Sequence, residues 1–217
     1  MRIVYDKDQL LEADLESNPL AQFNKWLSEA VAVGPDVIIE PNAMVLSTAD
    51  AQGVISSRSV LLKGIDERGL TFYTNYGSRK AQQIAEHNQV TVVFPWYPLH
   101  RQVVVSGTVT KVSRDEAAEY WAVRPHLSQL GAMASIQSAP IASRDVIEQA
   151  MSDLQKQFPE DVEVPLPDNW GGFLIEVDNI EFWQGRRSRL HDRIRFSSGG
   201  NHDLSAPDQW NIQRYSP

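Results

Sequence analysis

Four cationic or potentially cationic side chains recur at alternate positions near the end of this chain: Arg189, His191, Arg193 and Arg195. Read as a strand over 189–196, they share one face, while Leu190, Ile194 and Phe196 take the other with Asp192 among them. Such a row repels itself unless water or an anion lies among the charges. One reading is a solvated edge strand, whose Arg side chains discourage edge pairing. Trp183 and Gln184 just upstream favour the other, a planar anionic ligand, because an indole face and an amide are both ligand-contacting groups.

A second group of cations lies in Asn75-Tyr-Gly-Ser-Arg-Lys80, ahead of the helical run Ala81-Gln-Gln-Ile-Ala-Glu86. Ser78 is the expected N-cap, which puts Arg79 and Lys80 into the first helical turn. Cations there oppose the helix macrodipole at about 0.3–1 kcal/mol each. A phosphate held by the free N–H groups and both side chains reverses that sign. Arg58 and Lys63 flank an apolar stretch, but their spacing sends them to opposite faces of an ideal strand. A bulge or a strand end is needed for both to serve one site. Tyr120 and Arg124 share a helical face, with Ser128 shortly after. They read either as an Arg stacked on a Tyr or as a second anion pocket.

Other chemistries are excluded. The chain has no cysteine, which removes disulfides, thiolate catalysis and Cys-based metal sites. Its five histidines show no His-Glu-x-x-His spacing for zinc. Neither a Gly-x-Gly-x-x-Gly fingerprint, a Walker loop nor a Gly-x-Ser-x-Gly elbow is present. A net charge of −8 argues against nucleic-acid binding, so the cations that matter act locally. The N-terminus lacks an apolar signal core and no stretch is long enough for a membrane span, which points to a soluble cytoplasmic protein.

The elements that must position these groups are mostly strands. Asn18-Pro19 opens a helix with an apolar stripe through Phe23, Trp26 and Ala30, and Gly34-Pro35 ends it. Strand-like runs follow at 43–48, 60–63, 70–75, 90–96 and 102–112, separated by short turns that favour antiparallel neighbours. They read as a meander closing toward a barrel. Two later helices are expected, one capped by Ser113 and running to about Val123, the other capped by Ser143 with a core stripe through Val146, Ile147, Ala150, Met151, Leu154 and Phe158. Three further strands are expected near 173–177, 180–183 and 189–196, with a short last one at 210–214. With no linker, repeat or low-complexity tract, residues 1–217 read as a single β domain with surrounding helices, and 1–17 as an N-terminal arm.

Several blocks together resemble the pyridoxamine/pyridoxine 5′-phosphate oxidase family. They are Arg58-Ser-Val-Leu-Leu-Lys63, Phe72-Tyr-Thr-Asn75, Ser78-Arg-Lys80, Phe94-Pro-Trp96, Arg101-Gln-Val103, Gly131-Ala-Met-Ala-Ser135 with Gln137-Ser138, Trp170-Gly-Gly172, Glu181-Phe-Trp-Gln-Gly185 and Arg189-Leu-His-Asp-Arg193. The likeness runs in order from about Arg2 to Pro217. Departures are Glu40 where the family often has Asp, an ending Arg214-Tyr-Ser-Pro217, and a short N-terminal arm.

The resemblance implies an antiparallel FMN-binding split β-barrel with flanking helices, a homodimer carrying flavin between subunits. It implies oxidation of pyridoxamine or pyridoxine 5′-phosphate to pyridoxal 5′-phosphate, with O2 reoxidising the flavin to give H2O2. Arg58, Ser59, Val60, Leu61, Leu62 and Lys63 would contact FMN, together with Tyr73, Thr74, Arg79, Lys80, Gln102, Gln137, Ser138, Trp183 and Arg193. Lys63, Tyr120, Arg124 and Ser128 would hold the substrate phosphate. Arg189, Leu190 and His191 would meet its ring, with Arg189 and His191 catalytic, and Arg2 and Tyr5 would fold over the site. Two other readings remain open at this level: another flavin-barrel oxidoreductase, or a non-catalytic FMN- or pyridoxal-phosphate-binding carrier.

Overall fold

The computed structural model describes residues 9–200 and 202–217. Helix α1 (Pro19–Ala32) starts where expected: the Asn18 side chain accepts the Ala21 N–H at 2.8 Å, and Pro19 supplies a helix-ready φ. Its buried face, Phe23, Trp26 and Ala30, lies against the sheet. Phe23 meets Phe94 edge-on at 5.0 Å, and Trp26 meets Phe182 at 5.2 Å. Each such aromatic, removed from water, contributes on the order of 2–3 kcal/mol.

Among the described residues nine strands form one antiparallel sheet. In chain order they are β1 (Ala43–Ala49), β2 (Ile55–Leu61), β3 (Gly64–Asp66), β4 (Gly69–Asn75), β5 (Gln89–Trp96), β6 (Arg101–Lys111), β7 (Trp170–Gln184), β8 (Asp192–Ser198) and β9 (Trp210–Arg214). Their order in space is β2-β1-β5-β6-β7-β4-β3, with β8 on β7 and β9 beyond it. The expected simple meander is therefore corrected: β1 pairs with β5, and β4 pairs with β7. Helix α2 (Arg79–Glu86) causes this by carrying the chain away from β4 before β5 begins. The Lys63 N–H donates to Thr71 O at 2.9 Å, so the end of β2 meets β4 and the sheet curls into a split barrel.

The long strand β7 organises everything else. Along one edge it pairs with β6; along the other, its first part pairs with β4 and its last part with β8. Two strands were expected here, but the chain stays extended throughout, with a register shift at Ser106/Gly107. Alternation is strict on β5, where Val90, Val92, Phe94 and Trp96 are buried and the residues between them are not.

Three helices, not two, lie between β6 and β7: α3 (Arg114–Ala122), α4 (His126–Ala134) and α5 (Asp145–Gln157). Ser113 caps α3 by accepting the Glu116 N–H at 3.0 Å. Ser143 does not cap α5; its hydroxyl turns to the Asp145 side chain, and Arg144 occupies the cap position. The expected core stripe of α5 is only half realised, since no residue of that helix is buried. Met151, Leu154 and Phe158 pack from one side on a cluster of Trp121, Leu130, Val164 and Trp170, while Val146 faces water.

The strand expected over 189–196 begins only at Asp192. Reversing from β7 into β8 takes a 3-10 turn at Arg187–Arg189, and Ser188 and Arg189 sit at φ 56° and 64°. Arg189 and His191 therefore leave the shared face, and Leu190 is exposed instead of apolar core. Arg193 and Arg195 keep the alternation. Among the described residues no helix is long and apolar enough to cross a membrane.

Candidate functional site

Lys80 is the centre of the first group. Ser78 precedes α2 as expected, and the Lys80 ammonium is turned inward, with its residue only 9 % exposed. It donates to Gln137 Oε1 at 2.8 Å, Thr74 Oγ1 at 3.1 Å and Ser78 Oγ at 3.3 Å. All three acceptors are neutral. Burial, and then the nearby Arg58 charge, pull the Lys80 pKa down to about 8. Arg58 reaches in from β2, donating to Thr48 Oγ1 and Ser56 Oγ, both at 2.6 Å, and to Gln83 Oε1 at 3.3 Å. Burial and then Arg79 lower its pKa as well. Among the described residues no carboxylate pairs with Arg58, Arg79 or Lys80. Three cations gathered without an acid are a donor set for a phosphate dianion, so the residues present fit the terminal phosphate of FMN.

Beside this cage, Tyr73 stacks on Tyr120 at 4.0 Å and on Trp170 at 5.5 Å. Gly172 permits it: a Cβ there would stand 2.8 Å from Tyr73 Cε1. Burial, with a smaller push from Glu116, raises the Tyr73 hydroxyl to about 12, so it stays a neutral donor. The Arg124 guanidinium lies 4.8 Å above the Trp170 ring and donates to Ser128 O at 2.9 Å. Its Nε is buried without a partner, and burial lowers its pKa. A cleft of about 380 Å³ runs from Thr74 and Gln137, two of the acceptors of the Lys80 ammonium, to Arg124 and Ser128, and is lined also by Tyr73, Asn75, Gly131, Ala132, Ser135 and Trp170. Among the described residues no acidic side chain lines it.

Lys63 lies just past the end of β2, beside β4 through its backbone contact to Thr71, and is exposed. Ser59 is exposed, Val60 and Leu61 half-buried, and Leu62 buried. Ser138 is exposed at φ 72°.

The second group lies where β6, β7 and β8 end together. Gln102 pairs with Trp183, which pairs with Arg193. The Trp183 and His191 rings lie 4.6 Å apart. His191 Nδ1 accepts the Arg186 N–H at 3.0 Å, so the neutral ring carries its proton on Nε2. Burial, and then Arg189, lower the His191 pKa and keep it in that form. Arg193 is held by Glu181, and Arg189 and Leu190 are exposed at the turn. Arg2 and Tyr5 lie outside the described residues.

In one chain these groups do not meet. Tyr73 is opposite Gly172 and Gln102 is opposite Trp183, which puts them at the two ends of β7, up to about 36 Å apart at the rise of a strand. Sequence reasoning did not assign Trp170 or Glu181 a role, although Trp170 seats Arg124 and Glu181 holds Arg193. The alternation Glu181, Trp183 on β7 was the available signal for the latter.

Residues 35–158 match the family described as pyridoxamine 5′-phosphate oxidase, and residues 170–217 match a pyridoxine 5′-phosphate oxidase C-terminal dimerisation region. A pyridoxine/pyridoxamine 5′-phosphate oxidase of Streptomyces avermitilis is 48 % identical, covering 100 % of this chain and 95 % of its own. One from Crocosphaera subtropica is 46 % identical, covering 100 % and 98 %. The crystal structure of PhzG from Burkholderia lata, in complex with tetrahydrophenazine-1-carboxylic acid, superposes with a TM-score of 0.86 at 28 % identity, covering 97 % of this chain and 98 % of that one. With its split barrel, its family match over more than half its length and relatives of nearly half-identical sequence, the chain belongs to the pyridoxamine 5′-phosphate oxidase family of flavin oxidoreductases.

Proposed function

We propose that this protein is an FMN-dependent oxidase that converts pyridoxamine 5′-phosphate or pyridoxine 5′-phosphate to pyridoxal 5′-phosphate. O2 is the electron acceptor and H2O2 is formed; with the amine substrate, water hydrolyses the imine produced by the oxidation and ammonia is released. One observation carries the reading: a cleft without a carboxylate among its described lining runs from Thr74 and Gln137, which accept from Lys80, to Arg124 and Ser128. Two anion sites at one cleft suit two phosphorylated ligands, a cofactor and a substrate.

FMN, when bound, supplies the electron chemistry, accepting a hydride equivalent from the substrate carbon and passing electrons to O2. The chain supplies binding and orientation. Arg58, Arg79 and Lys80 would hold the flavin phosphate, and Thr74 and Gln137, which line the cleft, already fix the Lys80 ammonium beside it. Lys63, Tyr120, Arg124 and Ser128 hold the substrate phosphate. Trp183, Gln102 and Arg193 belong to the flavin, and Arg189 and His191 to the pyridine ring, with His191 offering an N–H from Nε2. Fixing the substrate at both ends restricts it to reactive orientations, a large share of any enzymic rate gain.

Because the two residue groups lie at opposite ends of β7, a complete site requires two chains. The outer face of β1, β2, β5 and β6 suits such a partner. Its rows run Ser59, Val45, Val93, Val104 and Ser57, Ser47, Thr91, Ser106, without a charge. A symmetric homodimer then carries two equivalent sites.

The test is direct. Cofactor released from purified protein is identified by mass, and peroxide is followed with each phosphorylated vitamer and with unphosphorylated pyridoxamine. FMN and a strong preference for the phosphorylated amine or alcohol are expected. FAD, no flavin, or oxidation indifferent to the phosphate overturns the reading.

A further inference from the structure

Glu181 is a buried carboxylate, 6 % exposed, on the outer face of β7. It lies directly opposite Arg195 and one pleat from Trp183, which is opposite Arg193. Arg193 leans back along the strand to reach it, donating from Nε to Oε1 at 2.9 Å and from Nη2 to Oε2 at 3.2 Å. Arg195 donates to the same Oε2 from Nε at 3.2 Å and Nη2 at 2.8 Å. The third nitrogen of Arg193, Nη1, donates to the Ser216 carbonyl at 3.0 Å, and the Tyr215 ring lies under both guanidinium groups, 4.4 Å from that of Arg195. Burial alone would raise the Glu181 carboxyl, but the bonds from Arg193 and Arg195 outweigh it and hold it below the usual range.

We infer that Glu181, with the C-terminal residues Tyr215 and Ser216, is the positioning element that aims Arg193 at the flavin. Every nitrogen of Arg193 has one anchor, so the fork cannot rotate. A guanidinium has five N–H groups. Three are used here, and the two left over, one on each Nη, are free for a ligand in a fixed direction. Without the carboxylate the side chain regains its rotamers, and the entropy of ordering it falls on flavin binding. Two Arg charges against one Glu leave a net positive charge beside Trp183.

This inference rests on the flavin reading above, and the experiment separates the two. FMN is titrated into flavin-stripped protein by fluorescence quenching for the parent, Glu181→Gln, Arg193→Met and the double variant. A parent that does not bind FMN removes the flavin reading itself. With a binding parent, Glu181→Gln should weaken FMN about tenfold, the scale of a charge-assisted hydrogen bond. The double variant should be no weaker than Arg193→Met alone, because Glu181 acts through Arg193. A purely structural role predicts instead that the two losses add. Additive losses, unchanged affinity, or tighter binding from the freed positive charge each overturn the proposal. A chain ending at Arg214, which removes the Ser216 carbonyl and the half-buried Tyr215 ring, should show the same non-additivity with Arg193→Met. If Glu181→Gln does not fold, that truncation decides the outcome by the same criteria.

Discussion

Replacing Lys80 with Met should leave the flavin-free protein at least as stable as the parent while weakening its hold on flavin. The ammonium is buried among three neutral acceptors, and its pKa falls from 10.5 to about 8. At about 1.4 kcal/mol per pH unit, that depression corresponds to about 3 kcal/mol of unfavourable burial of the charged form. Losing the three hydrogen bonds, at about 0.5–1 kcal/mol each, offsets about 1.5–3 kcal/mol of this, which leaves the variant without ligand equal to the parent or up to about 1.5 kcal/mol more stable. The sign with pH follows from the depressed value. Below about pH 8 the lysine is charged in both folded and unfolded chains and the cost is fully present; between about 8 and 10.5 only the unfolded chain stays protonated, so the parent gains stability as pH rises. FMN binding runs the other way, because the phosphate needs the charged lysine. Parental affinity should fall as pH rises above about 8, and Lys80→Met should lose about 10- to 100-fold in affinity together with that pH dependence. Urea unfolding with and without FMN, repeated from about pH 6.5 to 9.5, measures both arms. A flavin-free variant less stable than the parent, with a pH-independent parental affinity, would refute the reasoning.

Arg189→Met and His191→Ala should stay yellow and lose turnover, while Arg193→Met should lose flavin first; flavin occupancy beside single-turnover flavin reduction measures this, and parental reduction rates in the first two would remove them from the chemistry. Val93→Asp puts a charge in the middle of the neutral outer face and should split the dimer and release flavin; a flavin-loaded, active monomer by light scattering contradicts the shared site. Trp170→Ala removes a buried ring that stacks on Tyr73 and seats Arg124, so it should cost about 3–5 kcal/mol of stability and raise KM for phosphorylated substrate more than it lowers kcat. Unchanged KM in folded Trp170→Ala would mean that Arg124 needs no aromatic seat.

The half-buried strands were readable because alternation is a local property. Val90, Val92, Phe94 and Trp96 announce β5 by themselves, and Asn18-Pro19 announces α1. The turn at Arg187–Arg189 was not readable, since nothing in Arg-Ser-Arg demands two left-handed residues until β7 has to reverse into β8. Helix α4 escaped for a different reason: of its residues only Gln129 and Leu130 are buried, and Gly131 interrupts the pattern. Order among strands was hidden because the pairing of β4 with β7 joins segments about a hundred residues apart, which no local pattern encodes. The resemblance named site residues that the fold divides between two ends of one strand. Residue types could specify chemistry there, but not that two copies must share it.

That division along β7 has a genetic consequence. If each site takes the Lys80 end from one chain and the Arg193 end from its partner, two inactive proteins can repair one another. In a mixed dimer of Lys80→Met and Arg193→Met chains, one site collects both lesions and the other collects neither. At an FMN concentration that fills parental sites but neither variant's, random reassortment of equal amounts makes half the dimers mixed, each with one sound site, so about one quarter of parental activity should return. Complementation of this kind is impossible for a site housed within a single chain. Alleles of this gene would therefore fall into two classes, sorted by which end of one strand they damage.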